Sequence, residues 1–148
     1  MYNDILVPTD GSDGTMGAVQ HAIDHATTYD AALHTLYVVD TTVGVDASAA
    51  GTLDALEEAG ENAIQDVIHR AETAGVDSIE GAVARGAPHQ AILDYVDEYD
   101  IDLVVMGTHG RTGLDRYLLG SVTEKVVRLS DVPVLTVRMP SEEPEDSF

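Results

Sequence analysis

Five short apolar segments alternate with amphipathic stretches along this sequence, and the alternation constrains the fold more than any other feature. The segments that we predict to be strands are Ile5–Val7, Leu33–Val39, Ile79–Ala84, Leu103–Met106 and Val132–Val137. Strands that alternate with helices form parallel sheets, and right-handed crossovers place the helices on both faces of the sheet. The sequence therefore predicts one α/β domain, a doubly wound, Rossmann-like fold with a five-stranded parallel sheet.

Capping and turn residues mark the ends of the predicted helices. Ser12 or Asp13 can cap the first helix, and Gly75 is expected to end the second. Pro88 suits the first turn of the third helix, because the N–H that it lacks would have no partner there. Ser121–Glu124 has the form of a capping box, which predicts the start of the fourth helix.

Two segments are expected to be irregular. Residues 41–51 are small and polar, which indicates a loop between the second strand and the second helix. Residues 140–148 are acidic and contain prolines, so we predict a flexible C-terminal tail. The folded domain is accordingly expected to span residues 1–139.

The segment Gly107–Ser121, with the sequence GTHGRTGLDRYLLGS, joins the fourth predicted strand to the fourth helix. Glycine lets the backbone approach an anion closely, and a helix start offers N–H groups that lack partners. In doubly wound sheets, ligands bind beyond the carboxyl ends of the strands, where the strand order reverses. If the first strand lies beside the fourth, Pro8–Asp10 meets Gly107–Gly110 in that cleft. The segment therefore predicts a nucleotide site.

The chain is strongly acidic. Seven lysines and arginines face 27 aspartates and glutamates, which gives a formal net charge of -20, and Lys125 is the one lysine. Such a surface repels itself in dilute buffer, whereas at about 1 M salt the Debye length of roughly 3 Å screens the repulsion. We therefore predict a halophilic protein, with an ordinary acidic protein as the alternative. The charge disfavours binding to nucleic acid and to anionic membranes.

The composition also bears on the cellular setting. The chain has no cysteine, so disulfides, thiolate metal sites and cysteine nucleophiles are excluded. No apolar run approaches the roughly 20 residues that span a bilayer, and the first residues do not resemble a secretory signal. We expect a cytoplasmic protein.

Several common catalytic and nucleotide motifs are missing. The sequence contains no G-x-x-x-x-G-K-[ST], no G-x-G-x-x-G after the first strand and no G-x-S-x-G. No residue is evidently placed to activate water against a γ-phosphate, so we predict no catalytic residue and no efficient ATPase. His21 and His25 have the i, i+4 spacing of metal ligands, but no third ligand is evident and an exposed polar face is the better interpretation.

The sequence resembles the universal stress protein family over nearly its whole length. The resemblance begins with Ile-Leu-Val-Pro-Thr-Asp-Gly-Ser at Ile5–Ser12 and continues through Asp102–Gly107. The family signature G-x2-G-x9-G-[ST] is present as Gly107, Gly110, Gly120 and Ser121, and Pro133–Val137 resembles the family ending. The pieces are weak singly and specific together, since they occur in order and at these spacings.

The resemblance implies an adenine-nucleotide-binding fold with strand order 3-2-1-4-5. It also implies a homodimer joined through the last strand, Val132–Val137, and ATP as the ligand, with Mg²⁺ carried by the phosphates. The intact glycine signature places the chain with the ATP-binding members. The positions that match the family's nucleotide contacts are Pro8, Thr9, Asp10, Val39, Met106, Gly107, Gly110, Gly120, Ser121, Val122 and Thr123.

The matched positions divide by the part of the nucleotide that they would contact. Asp10 matches the loop at adenine and ribose, and Val39, with Val38 as a neighbouring candidate, lies where the family contacts adenine. Met106 and Gly107 match positions beside the ribose. Gly110, Gly120, Ser121 and Val122, with Thr123 close behind, match the phosphate cradle.

Plainer structural roles remain open for some of these residues. Ser121 and Asp10 can cap helices instead of contacting a ligand. His109 and Arg111 flank the glycine loop and are better interpreted as surface residues, although the guanidinium of Arg111 suits phosphate.

The function predicted is an ATP-binding, homodimeric regulator of the stress response. The alternative is a slow ATP hydrolase or nucleotidyl-transferring enzyme on the same fold.

Overall fold

The computed structural model describes residues 1–42, 50–108 and 119–138. Within these ranges the chain forms a five-stranded parallel sheet and four α-helices, which confirms the predicted fold class. The strands are β1 (Asp4–Pro8), β2 (Ala32–Asp40), β3 (Ile79–Gly86), β4 (Leu103–Gly107) and β5 (Val134–Val137). The helices are α1 (Met16–Tyr29), α2 (Ala50–Ala74), α3 (Pro88–Glu98) and α4 (Ser121–Leu129).

The strand order in the sheet is β3-β2-β1-β4-β5, as the family resemblance implied. Every pairing is parallel, and Leu6 of β1 lies opposite both His34 of β2 and Val104 of β4. β1 and β4 are therefore central and almost wholly buried, whereas β3 and β5 form the two edges.

The helices cover the two faces of the sheet in pairs. One face packs against α1 and α2 through a cluster that includes Ile5, Val7, Val19 and Val67. The other face packs against α3 and α4 through residues such as Leu6 and Val126. Alternate residues of β1 thus point to opposite faces, as the pleat requires. No helix in the described ranges is long and apolar enough to cross a membrane.

Two glycines allow α2 to lie close to the sheet. A Cβ atom built on Gly60 of α2 would lie 2.6 Å from the ring of Tyr37 in β2. One built on Gly81 of β3 would collide with the side chain of Ile64 in α2. Residues with side chains at these positions would push the helix away from the strands.

The predicted helix ends are correct in part. Gly75 follows the last residue of α2 with φ +93°, and Pro88 opens α3, as expected. The cap predicted for the first helix is wrong. A short 3₁₀ turn, Asp13–Thr15, precedes α1, and Ser12 donates its hydroxyl hydrogen to Asp10 instead of capping a helix.

The capping box predicted at Ser121–Glu124 is also wrong. Gly120 occupies the N-cap in an extended conformation, Ser121 is already helical, and no side chain among the described residues caps the helix. Glu124 pairs instead with Arg128 one turn later, at 3.0 Å.

Smaller differences concern the element boundaries. The last strand begins at Val134 and not at Val132, because Ser130 and Val132 form a tight turn and Pro133 has no N–H to donate. Helix α2 begins at Ala50, inside the segment predicted to be a loop. The rest of that loop, 43–49, and the predicted tail, 140–148, lie outside the described residues, so the tail stays a prediction.

Candidate functional site

The carboxyl ends of β1 and β4 lie side by side at the centre of the sheet. From β1 the chain continues to β2 and β3 on one side, whereas β4 is followed by β5 on the other. The strand order therefore reverses between β1 and β4, and the helices that follow these strands leave on opposite faces. In open α/β sheets this arrangement opens a crevice at the carboxyl ends, which is where ligands bind.

The wall of the crevice that follows β1 is built from hydrogen-bonded threonines. The Thr9 amide donates to the Leu36 carbonyl at 2.9 Å, which fixes the residue after β1 to β2. The Thr9 hydroxyl oxygen accepts from the Gly11 amide at 3.1 Å and lies 3.2 Å from the hydroxyl of Thr15. Thr15 was not among the predicted site residues, although a hydroxyl just before a helix is a common turn signal.

Asp10 is held at the mouth of the crevice by an Asx turn. Its Oδ1 accepts hydrogen bonds from the amide of Ser12, at 2.9 Å, and from the Ser12 hydroxyl. Gly11 lies between them with φ +80°, a left-handed backbone conformation that residues other than glycine adopt only with strain. The turn gives the carboxylate a fixed direction before any ligand arrives.

The end of β2 lies one strand away from the crevice. Val39 is 2% exposed as a whole residue and packs with Tyr37 and Ile64 beneath α2. Val38 is half-buried and packs on the opposite face, with the α3 and α4 cluster.

The second wall of the crevice joins β4 to the start of α4. Met106 is 5% exposed, and its side chain fills the core beneath α3 and α4. The Thr123 hydroxyl donates to the carbonyl of Gly107 at 2.9 Å, and the Gly120 amide donates to the carbonyl of Thr108 at 2.7 Å. These two bonds place the first turn of α4 directly against the end of β4.

Thr108 was missed by the sequence analysis. Its amide donates to the carbonyl of Val137 at 3.0 Å, while its carbonyl accepts from Gly120. The residue thus links β5, β4 and α4. Its position directly after a buried strand was the available signal.

The start of α4 has the features of an anion site. Gly120 carries no side chain at the N-cap, and no described side chain accepts a hydrogen bond from the first turn. The first amides of a helix have no partner within the helix, and the helix dipole makes this end positive. Ser121 is exposed and Val122 is half-buried, so the helix start is open to solvent. The remaining predicted residue, Gly110, lies outside the described residues, as do His109 and Arg111.

No group of three or more histidines, aspartates or glutamates could hold a metal ion within the ranges that the structure describes. Nδ1 of His25 lies 2.8 Å from the main-chain carbonyl of His21, one turn earlier on α1.

A second polar cluster lies at the opposite end of the sheet. His34 is 4% exposed, with Nδ1 2.8 Å from the Tyr95 hydroxyl and Nε2 3.0 Å from Asp4. Burial is the main cause that raises the pKa of Tyr95. Local sequence patterns do not reveal this cluster, whose members come from β1, β2 and α3. It ties those elements together far from the crevice.

Comparison with known proteins agrees with this architecture. The sequence model of the universal stress protein family matches residues 1–138. The chain belongs to the universal stress protein family. A universal stress protein of Methanocaldococcus jannaschii is 41% identical over 147 residues, which cover 97% of this chain and 86% of the relative.

Solved structures of other family members are similar to this one. The universal stress protein UspA from Lactobacillus plantarum has a TM-score of 0.85 at 30% identity, over 93% of this chain and 98% of its own. A universal stress protein in complex with cAMP has a TM-score of 0.73 at 29% identity, over 94% of this chain and 98% of its own. Nucleotide binding is thus found among the relatives of this chain.

Proposed function

We propose that this universal stress protein binds ATP in the crevice between β1 and β4 and acts as a homodimeric, nucleotide-dependent regulator of the stress response. The observation that carries the proposal is the start of α4, which no described side chain caps and which two hydrogen bonds hold against the end of β4. The cAMP complex of a relative supports an adenine nucleotide as the class of ligand.

The phosphates would lie on the main chain at the start of α4. The amides of Ser121 and Val122 need acceptors, and the absence of a side chain on Gly120 leaves the approach to them open. Gly107 and Gly110 would let the preceding segment follow the phosphate chain closely. Thr123 would contribute through its amide, since its hydroxyl hydrogen is used by Gly107. Mg²⁺ would be held by phosphate oxygens and water, as is usual for this ion.

The sugar and base would lie toward β1 and β2. The Asp10 carboxylate accepts hydrogen bonds only, so it suits the ribose hydroxyls and would repel phosphates. Pro8 and Thr9 would line the pocket beside it, with Met106 and Gly107 on the other side. Val39 or its neighbour Val38, at the end of β2, would lie near the adenine.

Regulation would follow from a preference of ATP for one arrangement of the residues that join β4 to α4. A ligand shifts a conformational equilibrium only when it binds one state more tightly than the other. In this proposal the segment begins at Gly107 beside the ribose and ends at Gly120 and Ser121 beside the phosphates, so occupancy would favour one surface for a partner protein.

The dimer would form through β5. This strand is a sheet edge within the described residues, and its residues Val134, Leu135 and Val137 are only half-buried. The neighbouring helix α4 exposes Val127 and Leu129, which are 43% and 50% exposed. Pairing with β5 of a second copy would cover these groups and satisfy the edge hydrogen bonds.

The decisive experiment is to purify the protein without added nucleotide, denature it and identify what it releases. We expect ATP or a related adenine nucleotide in near-stoichiometric amount, and calorimetric titration of the stripped protein with ATP and Mg²⁺ in molar salt should show saturable binding. Release of no nucleotide together with no binding would overturn the proposal. Sedimentation of the wild type against Thr136→Asp, which adds a charge at the exposed position of β5, tests the dimer separately.

A further inference from the structure

A groove runs along the β3 edge of the sheet, on the face that carries α3. It has a volume of about 440 Å³, within the range of natural ligand sites. Ala82 and Ala84 of β3 form its floor, and Asp94 and Glu98 of α3, with Tyr99 directly after the helix, lie along its wall. β2 separates β3 from β1, so the groove is distinct from the crevice in which we place ATP.

The groove exists because β3 carries small residues on the face that it turns toward α3. Ala82 and Ala84 pack partly against the α3 and α4 cluster, while Gly81 and Val83 point to α2 on the other face. A larger side chain at either alanine would fill the space between the strand and the helix. The small side chains instead leave an apolar floor that is open along the sheet edge.

The outer edge of β3 can accept another strand. All eight residues of β3 are in register with β2, and no second strand pairs with β3 among the described residues. Natural edge strands are commonly protected by lysine, proline or a bulge. β3 contains neither lysine nor proline, and its charged residues, Glu80 and Arg85, lie near its ends.

The charge of the groove is negative. Asp94 and Glu98 are exposed, and no described cation lies within ion-pair distance of either carboxylate. Arg85 also lines the groove, but it is ion-paired with Glu57 of α2. The ring of Tyr99 is 42% exposed and lies 4.3 Å, centroid to centroid, from the ring of Tyr95, so one aromatic surface is available to a guanidinium or ammonium group.

We propose that this groove binds an extended, basic segment of a partner protein, which pairs with β3 as a sixth strand. Main-chain hydrogen bonds to the β3 edge would supply affinity, and lysine or arginine at alternate positions would reach Asp94 and Glu98. A second copy that paired edge to edge through its own β3 would bring its Asp94 and Glu98 toward the same carboxylates of the first copy, so the charge of the groove argues against that occupant. At 0.1 M salt the Debye length is roughly 10 Å, longer than a direct ion pair, so these ion pairs are only weakly screened. They therefore strengthen the binding of the segment most in dilute salt.

The test uses a fluorescein-labelled peptide that alternates lysine and valine, with a peptide that alternates glutamate and valine as its counterpart. We expect the anisotropy of the basic peptide alone to rise on titration with the full chain. Asp94→Lys and Glu98→Lys should each weaken this binding by about tenfold, as reversal of an interface charge commonly does. Asp97→Lys is the matched control, because Asp97 is exposed on the same helix but does not line the groove.

A second measurement separates strand pairing from general attraction to an acidic protein. In amide NMR spectra, the peptide should shift and protect the residues of β3, and Ala82→Tyr, which fills the groove, should abolish those shifts. Circular dichroism and ATP titration of each variant report whether the fold and the crevice are intact. The proposal is overturned if the basic peptide does not bind, if Asp97→Lys weakens it as much as Asp94→Lys, or if the shifts lie outside β3. Self-association that Asp94→Lys abolishes would also overturn it, because the occupant would then be a second copy.

Discussion

The hydroxyl of Thr123 donates a hydrogen bond to the main-chain carbonyl of Gly107 across 2.9 Å, and both groups are buried. The two residues are 16 positions apart in sequence, and the bond joins the first turn of α4 to the last residue of β4. The positive end of the α4 dipole is thereby held beside the crevice at the centre of the sheet. The geometry of the proposed phosphate site depends on this contact.

Thr123→Val is expected to destabilise the fold by about 1–3 kcal/mol, because it leaves the buried carbonyl of Gly107 without a donor. It should also weaken ATP binding, since one of the two hydrogen bonds that hold the start of α4 against the end of β4 is lost. Urea unfolding and calorimetric titration measure the two effects. Thr123→Ser keeps the hydroxyl and serves as the control; equal stability of wild type and Thr123→Val would show that the bond contributes nothing.

Gly120→Val is expected to reduce ATP affinity severely while the fold survives. Gly120 has φ -63° and ψ 158°, which valine adopts without strain, so the backbone of the N-cap need not change. The added side chain would instead cover the amides at the start of α4. Titration of Gly120→Ala and Gly120→Val should show a graded loss, with unchanged circular dichroism. Unaltered affinity in the valine variant would place the phosphates elsewhere.

Asp10→Asn is expected to weaken ATP binding by about tenfold, because a hydrogen bond to a charged group contributes about 1.5–3 kcal/mol. The amide oxygen of asparagine can still accept from the Ser12 amide, so the turn is kept. The sharper measurement is a comparison with 2′,3′-dideoxy-ATP, which lacks the ribose hydroxyls and should bind both proteins equally. Asp13→Asn, at a nearby exposed residue, is the control. An equal loss for both nucleotides would refute a role at the ribose.

Much of the fold could be predicted from periodicity, and the reason is visible in β4. Its residues are buried along the whole strand, as a continuous apolar run between polar segments requires. The order of the strands could not be obtained this way, because periodicity carries no information about which strands pair. Only the family resemblance supplied it.

The errors in the sequence analysis arose where neighbouring residues compete for one role. Serine is favoured at an N-cap, yet at α4 Gly120 takes that position and Ser121 becomes the first helical residue. His34 was overlooked because a buried histidine needs partners, and its partners are 30 and 61 residues away in sequence. Local patterns cannot report contacts at such separations.

Gly60→Ala is expected to destabilise the protein by about 1 kcal/mol, although alanine favours helix over glycine by a similar amount. The added Cβ would lie 2.6 Å from the ring of Tyr37. The shifts that accommodate an extra group in a packed core cost about 1–3 kcal/mol, which exceeds the gain in helix propensity. Asn62→Ala, at an exposed position of α2, lacks this conflict and should be neutral or slightly stabilising. Thermal unfolding of the two variants checks the difference, and a gain in stability for Gly60→Ala would contradict the packing.

The formal net charge of -20 predicts that the unfolding temperature rises with salt. Between about 0.1 M and about 1 M potassium chloride the Debye length falls from roughly 10 Å to roughly 3 Å, so repulsion between exposed carboxylates is screened. Potassium chloride is used because sulfate would stabilise the fold in a different way, by strengthening the burial of apolar groups. A variant with Glu58→Gln, Glu61→Gln and Glu72→Gln, all exposed on α2, should respond less steeply because it carries fewer repelling charges. An unfolding temperature that falls with salt, or an identical slope in the variant, would reject the halophilic interpretation.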